Sequence, residues 1–204
     1  MTISHKYTMN DPDEQHGVLV NKLGILEQKK LNAVEAQHLL KSYEQVTSQY
    51  TKKHSFREKD ICYLHKVFLG DIYEWPGNYR TIDLSSKGIR FCHAKFIPEN
   101  MQTFSKQLAE LTPFTPDLSK KEIALRLAVI HGELIVIHPF RDGNGRTTRL
   151  LCDILLLQAD CIPMKTKKFY DRFFVEKYHR SIQKIWHSKD YSSLSDLFEP
   201  LIGN

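Results

Sequence analysis

The 204 residues carry 29 Lys and Arg against 24 Asp and Glu, with 41% hydrophobic residues, 9 Gly and 8 Pro, a balance that fits one soluble globular domain and excludes a disordered or collagen-like chain. The longest strongly apolar run, Leu134 to Ile137, ends at His138, so no membrane span of ~20 residues is expected. The polar N-terminus lacks the apolar core of a signal peptide, so a cytoplasmic chain is expected. The surplus of five positive charges is scattered, with small clusters only at Lys52-Lys53, Lys120-Lys121 and Lys165 to Lys168. That pattern reads as solvated lysines and not as a nucleic-acid surface.

In chain order, a first helix is expected at about 28 to 46. Ser55 and Glu58 then have capping-box spacing, and Ile61, Leu64, His65, Phe68 and Leu69 fall on one stripe, which predicts a helix over 56–69. Past the turn Trp75-Pro76-Gly77, the segment NYRTIDLSSKGIRFCHAKF alternates apolar and polar residues about Ser85-Ser86-Lys87-Gly88. It predicts a short β-hairpin with strands near 80–84 and 89–93. Such a hairpin leaves strand edges with unpaired donors and acceptors, which can receive another chain. After a helix at 98–111, a second capping box, Ser119 with Glu122, opens a run through Ile123, Leu127, Ile130 and Leu134 that stops at His138-Pro139. With Leu125, Ala128, Val129 and Ile135 also apolar, this helix is expected at the centre of the domain. Helices at 146–158, 168–187 and 191–201 complete a mainly α chain of about seven helices with one hairpin. Cys62, Cys92, Cys152 and Cys161 form no CxxC pair, and His131 and His138 lie seven apart with no Cys partner nearby, so no zinc site is expected.

Chemistry concentrates in HPFRDGNGRTTR, His138 to Arg149. Two glycines in Gly143-Asn144-Gly145 open backbone angles closed to other residues, and the stretch leads straight into a helix. Successive N–H groups then converge at the positive end of a helix dipole, which is a phosphate site before any side chain is counted. Arg146 and Arg149, three apart, share a helix face and can both reach a polyphosphate. A carboxylate beside such a cradle, Asp142, makes sense with Mg²⁺ between it and the phosphates. His138 near the phosphate suits a general base. Pro139 ends the preceding helix, and Phe140 is expected to drop into the core and anchor the loop.

The full run HPFRDGNGRTTR resembles the Fic family signature of Fido-fold enzymes, HPFx[DE]GNGRxxR. The segments VLVNKLGILEQKKLNAVEA (18–36), IYEWPGNYRTIDLS (72–85) and GIRFCHAKFIPENM (88–101) are similar to the N-terminal, Trp-Gly turn and flap segments of bacterial Fic proteins. The resemblance implies one Fido-fold domain over 1–204, with a core of about 18–200, a flap at about 80–93 and an active-site loop at 138–146. It also implies transfer of AMP from Mg-ATP to a Ser, Thr or Tyr hydroxyl of a target protein. His138 would be the general base and Asp142 the Mg²⁺ ligand, with Phe140, Gly143, Asn144 and Gly145 in the nucleotide-binding set. Arg146 would hold the β-phosphate, and Arg149 the γ-phosphate or an inhibitory glutamate. Doc-type kinases carry Lys at the position of Gly145. The target backbone would add to the flap at Ile89, Arg90, Phe91, Cys92 and His93.

Fic enzymes are commonly silenced by a [ST]xxxE[GN] helix. No Ser or Thr before the hairpin has Glu four residues on, while Ser195 and Glu199 have the spacing but are followed by Pro200. The expectation is a toxin-type chain silenced by a separate small antitoxin. Self-inhibition through Ser195 and Glu199, or a nucleotide-dependent interaction module without transfer, are the alternatives.

Overall fold

The computed structural model describes residues 14–15, 17–86, 89–164, 168–169 and 171–203. The polar N-terminal stretch, the hairpin tip Lys87-Gly88 and most of the Lys165 to Lys168 cluster lie outside them. Among the described residues the chain forms seven α-helices: α1 (Gln28–Thr47), α2 (Glu58–Leu69), α3 (Ile97–Leu111), α4 (Lys120–Ile137), α5 (Asn144–Gln158), α6 (Arg172–Ser188) and α7 (Ser192–Phe198). Two minimal hairpins accompany them, β1 (Glu14–Gln15) with β2 (Val18–Leu19), and β3 (Ser85–Ser86) with β4 (Ile89–Arg90). The first hairpin was not expected, because two-residue strands leave no alternation to read. No described helix is long and apolar enough to cross a membrane.

Helix α4 is the axis of the domain, with α3, α5, α6 and α7 packed around it. Its start is the expected capping box: the Glu122 amide donates to Ser119 Oγ at 3.2 Å, and the Ser119 amide to Glu122 Oε2 at 2.9 Å. Its core face, Ile123, Leu127, Ile130 and Leu134, is buried, and each such side chain contributes about 1.5–3 kcal/mol. Leu125 remains exposed, so the helix is apolar nearly all round yet shows one edge to solvent. Gly132 lets α6 approach: a Cβ there would stand 2.6 Å from Ile185 Cδ1.

Helix α2 buries the predicted stripe of Ile61, Leu64, His65, Phe68 and Leu69. It starts later than expected, because Ser55 does not cap it. Ser55 Oγ donates to Ala109 O at 3.1 Å, and the Glu58 amide donates to Ser105 Oγ of α3 at 3.1 Å. Asp60 closes the turn instead, accepting from the Arg57 amide at 2.8 Å. A second, smaller core of Val18, Leu31, Phe68, Leu69, Ile72 and Tyr73 joins the first hairpin and α1 to α2. Helix α6 begins at Arg172, where Asp171 Oδ1 accepts from the Phe174 amide at 2.8 Å.

Candidate active site

The site is built where α4 stops. His138 caps the helix in the left-handed region, at φ 52° and ψ 59°, a conformation that costs a non-glycine residue roughly 1–2 kcal/mol. Pro139 prevents the helix from continuing, and Arg80 holds the turn. Its buried guanidinium donates to His138 O at 2.8 Å, to Ile82 O and Cys92 O at 2.5 Å, and to Ile137 O at 3.4 Å. A cation on the last carbonyls of a helix meets the negative end of its dipole. The His138 ring is 8% exposed and lies flat on Phe91, with centroids 3.7 Å apart and planes 8° apart. Its Nδ1 is 3.2 Å from Ile135 O. A carbonyl only accepts, so Nδ1 carries the hydrogen, and in the neutral ring Nε2 carries the lone pair.

The loop that follows is locked from below. Phe140 is 1% exposed and stacks on His65 at 3.8 Å and 8°, so its side chain anchors the loop. Asn144 Oδ1 accepts from the Phe140 amide at 2.9 Å, and Nδ2 donates to Phe140 O at 2.8 Å. The Asn144 side chain is therefore a brace rather than part of an anion nest. Gly143 is the position that needs its glycine: φ is +77°, and a Cβ would stand 2.7 Å from Leu69 Cδ1. Gly145 already sits inside α5, which begins two residues earlier than the sequence suggested. Early initiation leaves the Asn144, Gly145 and Arg146 amides as first-turn donors without an intrahelical acceptor. His65 supports all of this from α2. The Gly77 amide donates to its Nδ1 at 3.0 Å, and its Nε2 donates to Asp142 O at 2.9 Å. Burial pushes the His65 imidazole down to about 4, so it stays neutral and keeps both bonds.

The charged side chains form one network. Asp142 Oδ2 accepts from Arg146 at 2.9 Å. The other side of the Arg146 guanidinium donates to Glu35 of α1, which also accepts from the Tyr73 hydroxyl. Glu35 was missed at the sequence level; it is 4% exposed, and a lone Glu on a weakly amphipathic helix reads as a solvated charge. Arg146 lies over Phe68 at 5.0 Å, and Arg149 lies over Phe169 at 5.0 Å.

The flap is shorter than predicted. Only Ser85↔Arg90 and Ser86↔Ile89 pair as strands, extended by the Phe91 amide donating to Leu84 O at 3.1 Å. The Arg80 and Cys92 amides do not join the ladder: the Arg80 amide donates to Pro139 O at 2.9 Å, and the Cys92 amide to Val136 O at 3.2 Å. Of the five predicted docking residues, Ile89 is buried, Phe91 covers His138, Cys92 has both backbone groups engaged, and the exposed His93 lies 3.0 Å from Asp83. Arg90 is exposed on the outer side. The Ser195 and Glu199 pair sits elsewhere. Glu199 lines a surface depression with Lys120, Asp196 and Pro200, at the N-terminal end of α4, whereas the loop leaves its C-terminal end.

A helical domain with a histidine cap, a glycine turn and an amide-lined helix start defines an anion-binding class of site. The Fic/DOC family profile matches residues 55–156, and the chain belongs to that family. It is 35% identical over 143 residues to protein adenylyltransferase VbhT of Bartonella schoenbuchensis, covering 69% of this chain and 29% of that protein. It is 31% identical over 99 residues to the probable protein adenylyltransferase Fic of Salmonella typhimurium, covering 48% of this chain and 49% of that one. The matches therefore span less than half the length of these two relatives. The fold is also that of the BepC protein of Bartonella tribocorum solved with bound AMPPNP, at a TM-score of 0.74 and 21% identity over 90% of this chain and 91% of that one.

Proposed function

We propose that the chain transfers AMP from Mg-ATP to a hydroxyl side chain of a target protein. One observation carries this reading: a single short loop sets the lone pair of His138 Nε2 at one end and the orphan amides of α5 at the other. His138 takes the proton of the incoming hydroxyl as its oxygen attacks the α-phosphorus. The bond from that phosphorus to the bridging oxygen breaks, and pyrophosphate leaves. The first-turn amides of α5 and the Arg146 and Arg149 guanidinia receive the phosphate charge. Glu35 holds Arg146 from behind, so the arginine would keep a carboxylate partner if Asp142 were to hold a metal instead.

The donor set fits Mg²⁺. Among the described residues no three His, Cys, Asp or Glu side chains gather into a protein-only cage, and Mg²⁺ is usually held by one or two carboxylates plus substrate phosphates. Asp142 would hold it, and the ion would neutralise phosphate charge. The names of the relatives and the AMPPNP in BepC support the same reading. The target would add its backbone as a strand at the flap. Control would come from a separate small protein that supplies the inhibitory glutamate to Arg149, which the position of Glu199 favours over self-inhibition. A neighbouring reading frame carrying [ST]xxxE[GN], whose product suppresses transfer when co-expressed, is the expected finding.

The decisive measurement is labelling of lysate protein with α-labelled ATP. His138→Ala should lower it roughly 10²- to 10⁴-fold while ATP binding persists. Label arriving from the γ-phosphate alone would make the chain a kinase. Tight ATP binding without any transfer would make it a nucleotide-dependent interaction module.

A further inference from the structure

The flap does more than present an edge, because its register decides which target side chains can reach the site. In an antiparallel hairpin, residues alternate between pairs that exchange both backbone bonds and pairs whose N–H and C=O point away from the partner strand. Ser86↔Ile89 closes the hairpin, and the Phe91 amide donates to Leu84 O. Ile89 and the Phe91 amide are therefore turned into the hairpin, and the intervening Arg90 turns its own backbone groups outward. Cys92, the next outward position, is already engaged with Val136 and Arg80. A target strand thus has one place to bond on β4, the backbone of Arg90.

Side chains alternate between the two faces of a strand, and residues directly opposite each other point to the same face. Ile89 is buried and Phe91 lies on His138, so their face is the chemical one. Arg90 points to the other face, into solvent. It follows, for a parallel or an antiparallel target strand alike, that the target residue directly opposite Arg90 also points outward. The residues directly before and after it point toward His138. The hydroxyl to be modified must be one of those two.

The outward target residue then lies beside an arginine whose guanidinium has no carboxylate partner among the described residues. Among the described residues nearby, His93 faces Asp83 at 3.0 Å and Lys95 lies over Phe96 at 4.7 Å. We propose that Arg90 is a specificity residue: the modified hydroxyl residue of the target is directly preceded or followed by Asp or Glu, which pairs with the Arg90 guanidinium on the outer face of the flap. This rests on the transfer reading above and adds to it the class of sequence that is modified.

The test uses the whole chain, α-labelled ATP and synthetic nine-residue peptides with one central Ser, Thr or Tyr, whose two neighbours are varied among Asp, Ala and Lys. An opposite-charge pair across strands should favour Asp over Ala by about 1.5- to 5-fold in kcat/KM, and Lys should be disfavoured. Arg90→Glu should invert the order of Asp and Lys, whereas Arg90→Lys should retain it. Equal labelling of all peptides, or an unchanged order in Arg90→Glu, overturns the proposal. Should only lysate proteins be labelled, the modified sites are read by mass spectrometry, and sites lacking an acidic neighbour on both sides overturn it equally. Loss of all His138-dependent labelling would instead remove the transfer reading, and this proposal with it.

Discussion

The loop from His138 to Gly143 and the flap from Arg80 to His93 meet where Phe91 lies on the His138 ring, yet they are held in opposite ways. The loop is braced from inside the protein by the Asn144 clamp on both backbone groups of Phe140, the His65 bond to Asp142 O and the Phe140–His65 stack. The flap has two-residue strands, and apart from its contacts with the active-site turn it leaves Arg90 outward. Groups that move protons and hold phosphates must stay within fractions of an ångström, whereas a surface that receives a foreign strand must keep backbone groups unspent. The contrast implies that the loop fails through loss of stability, and the flap through loss of rate or selectivity.

Acid should expose the first half of that contrast most strongly. His65 and His131 are buried neutral, with burial pushing them down to about 4 and about 3. In the unfolded chain both take up protons near pH 6.5. Between that pH and about 4 the unfolded state therefore binds more protons than the folded one, and stability falls as pH falls. The loss is on the order of 3 kcal/mol for His65 alone by pH 4. Thermal melts from pH 7 to pH 4 should show a steep decline beginning below 6.5, and a flat melting temperature across that range would contradict the neutral, doubly bonded His65.

A narrower break comes from Asn144→Ala. It leaves the buried amide and carbonyl of Phe140 without partners at once, each costing about 1–3 kcal/mol, so a destabilisation of about 2–6 kcal/mol is expected in denaturant titrations. A variant that melts like the parent would mean that water replaces the clamp and that the loop does not depend on it.

The two regions also differed in how far the sequence revealed them. Helices α2 and α4 were legible because their stripes and the Ser119–Glu122 box are local signals. The loop was legible because its parts are consecutive. The brace made by the Asn144 side chain was not legible, since nothing local shows that it donates to Phe140. The flap strands were overestimated for a related reason. Alternation continues through Arg80 and Cys92, but their amides bond to Pro139 O and Val136 O instead of to a facing strand. Glu35 stayed hidden because its meaning lies 111 residues away, at Arg146.

Phe91 is where the two kinds of holding can be separated with the smallest perturbation. Its ring meets His138 face to face at 3.7 Å, and an aromatic contact of this kind contributes about 0.5–1.5 kcal/mol beyond area burial. Phe91→Leu should therefore cost only about 1–6 °C in melting temperature for a chain of this length. The His138 ring would keep its Nδ1 bond to Ile135 O but lose the plate that fixes its tilt, so Nε2 would point over a wider cone. Misplacement on the scale of 1 Å can cost 10²-fold in rate, and a partial loosening of roughly 10-fold in kcat is expected, with the KM for ATP unchanged. Phe91→Tyr, which restores a flat ring, should recover most of the rate. A loss confined to the KM for the target protein would mean that Phe91 serves docking alone. A loss proportional to stability in both variants would mean that it serves the fold, and either result would dissolve the link between flap and base.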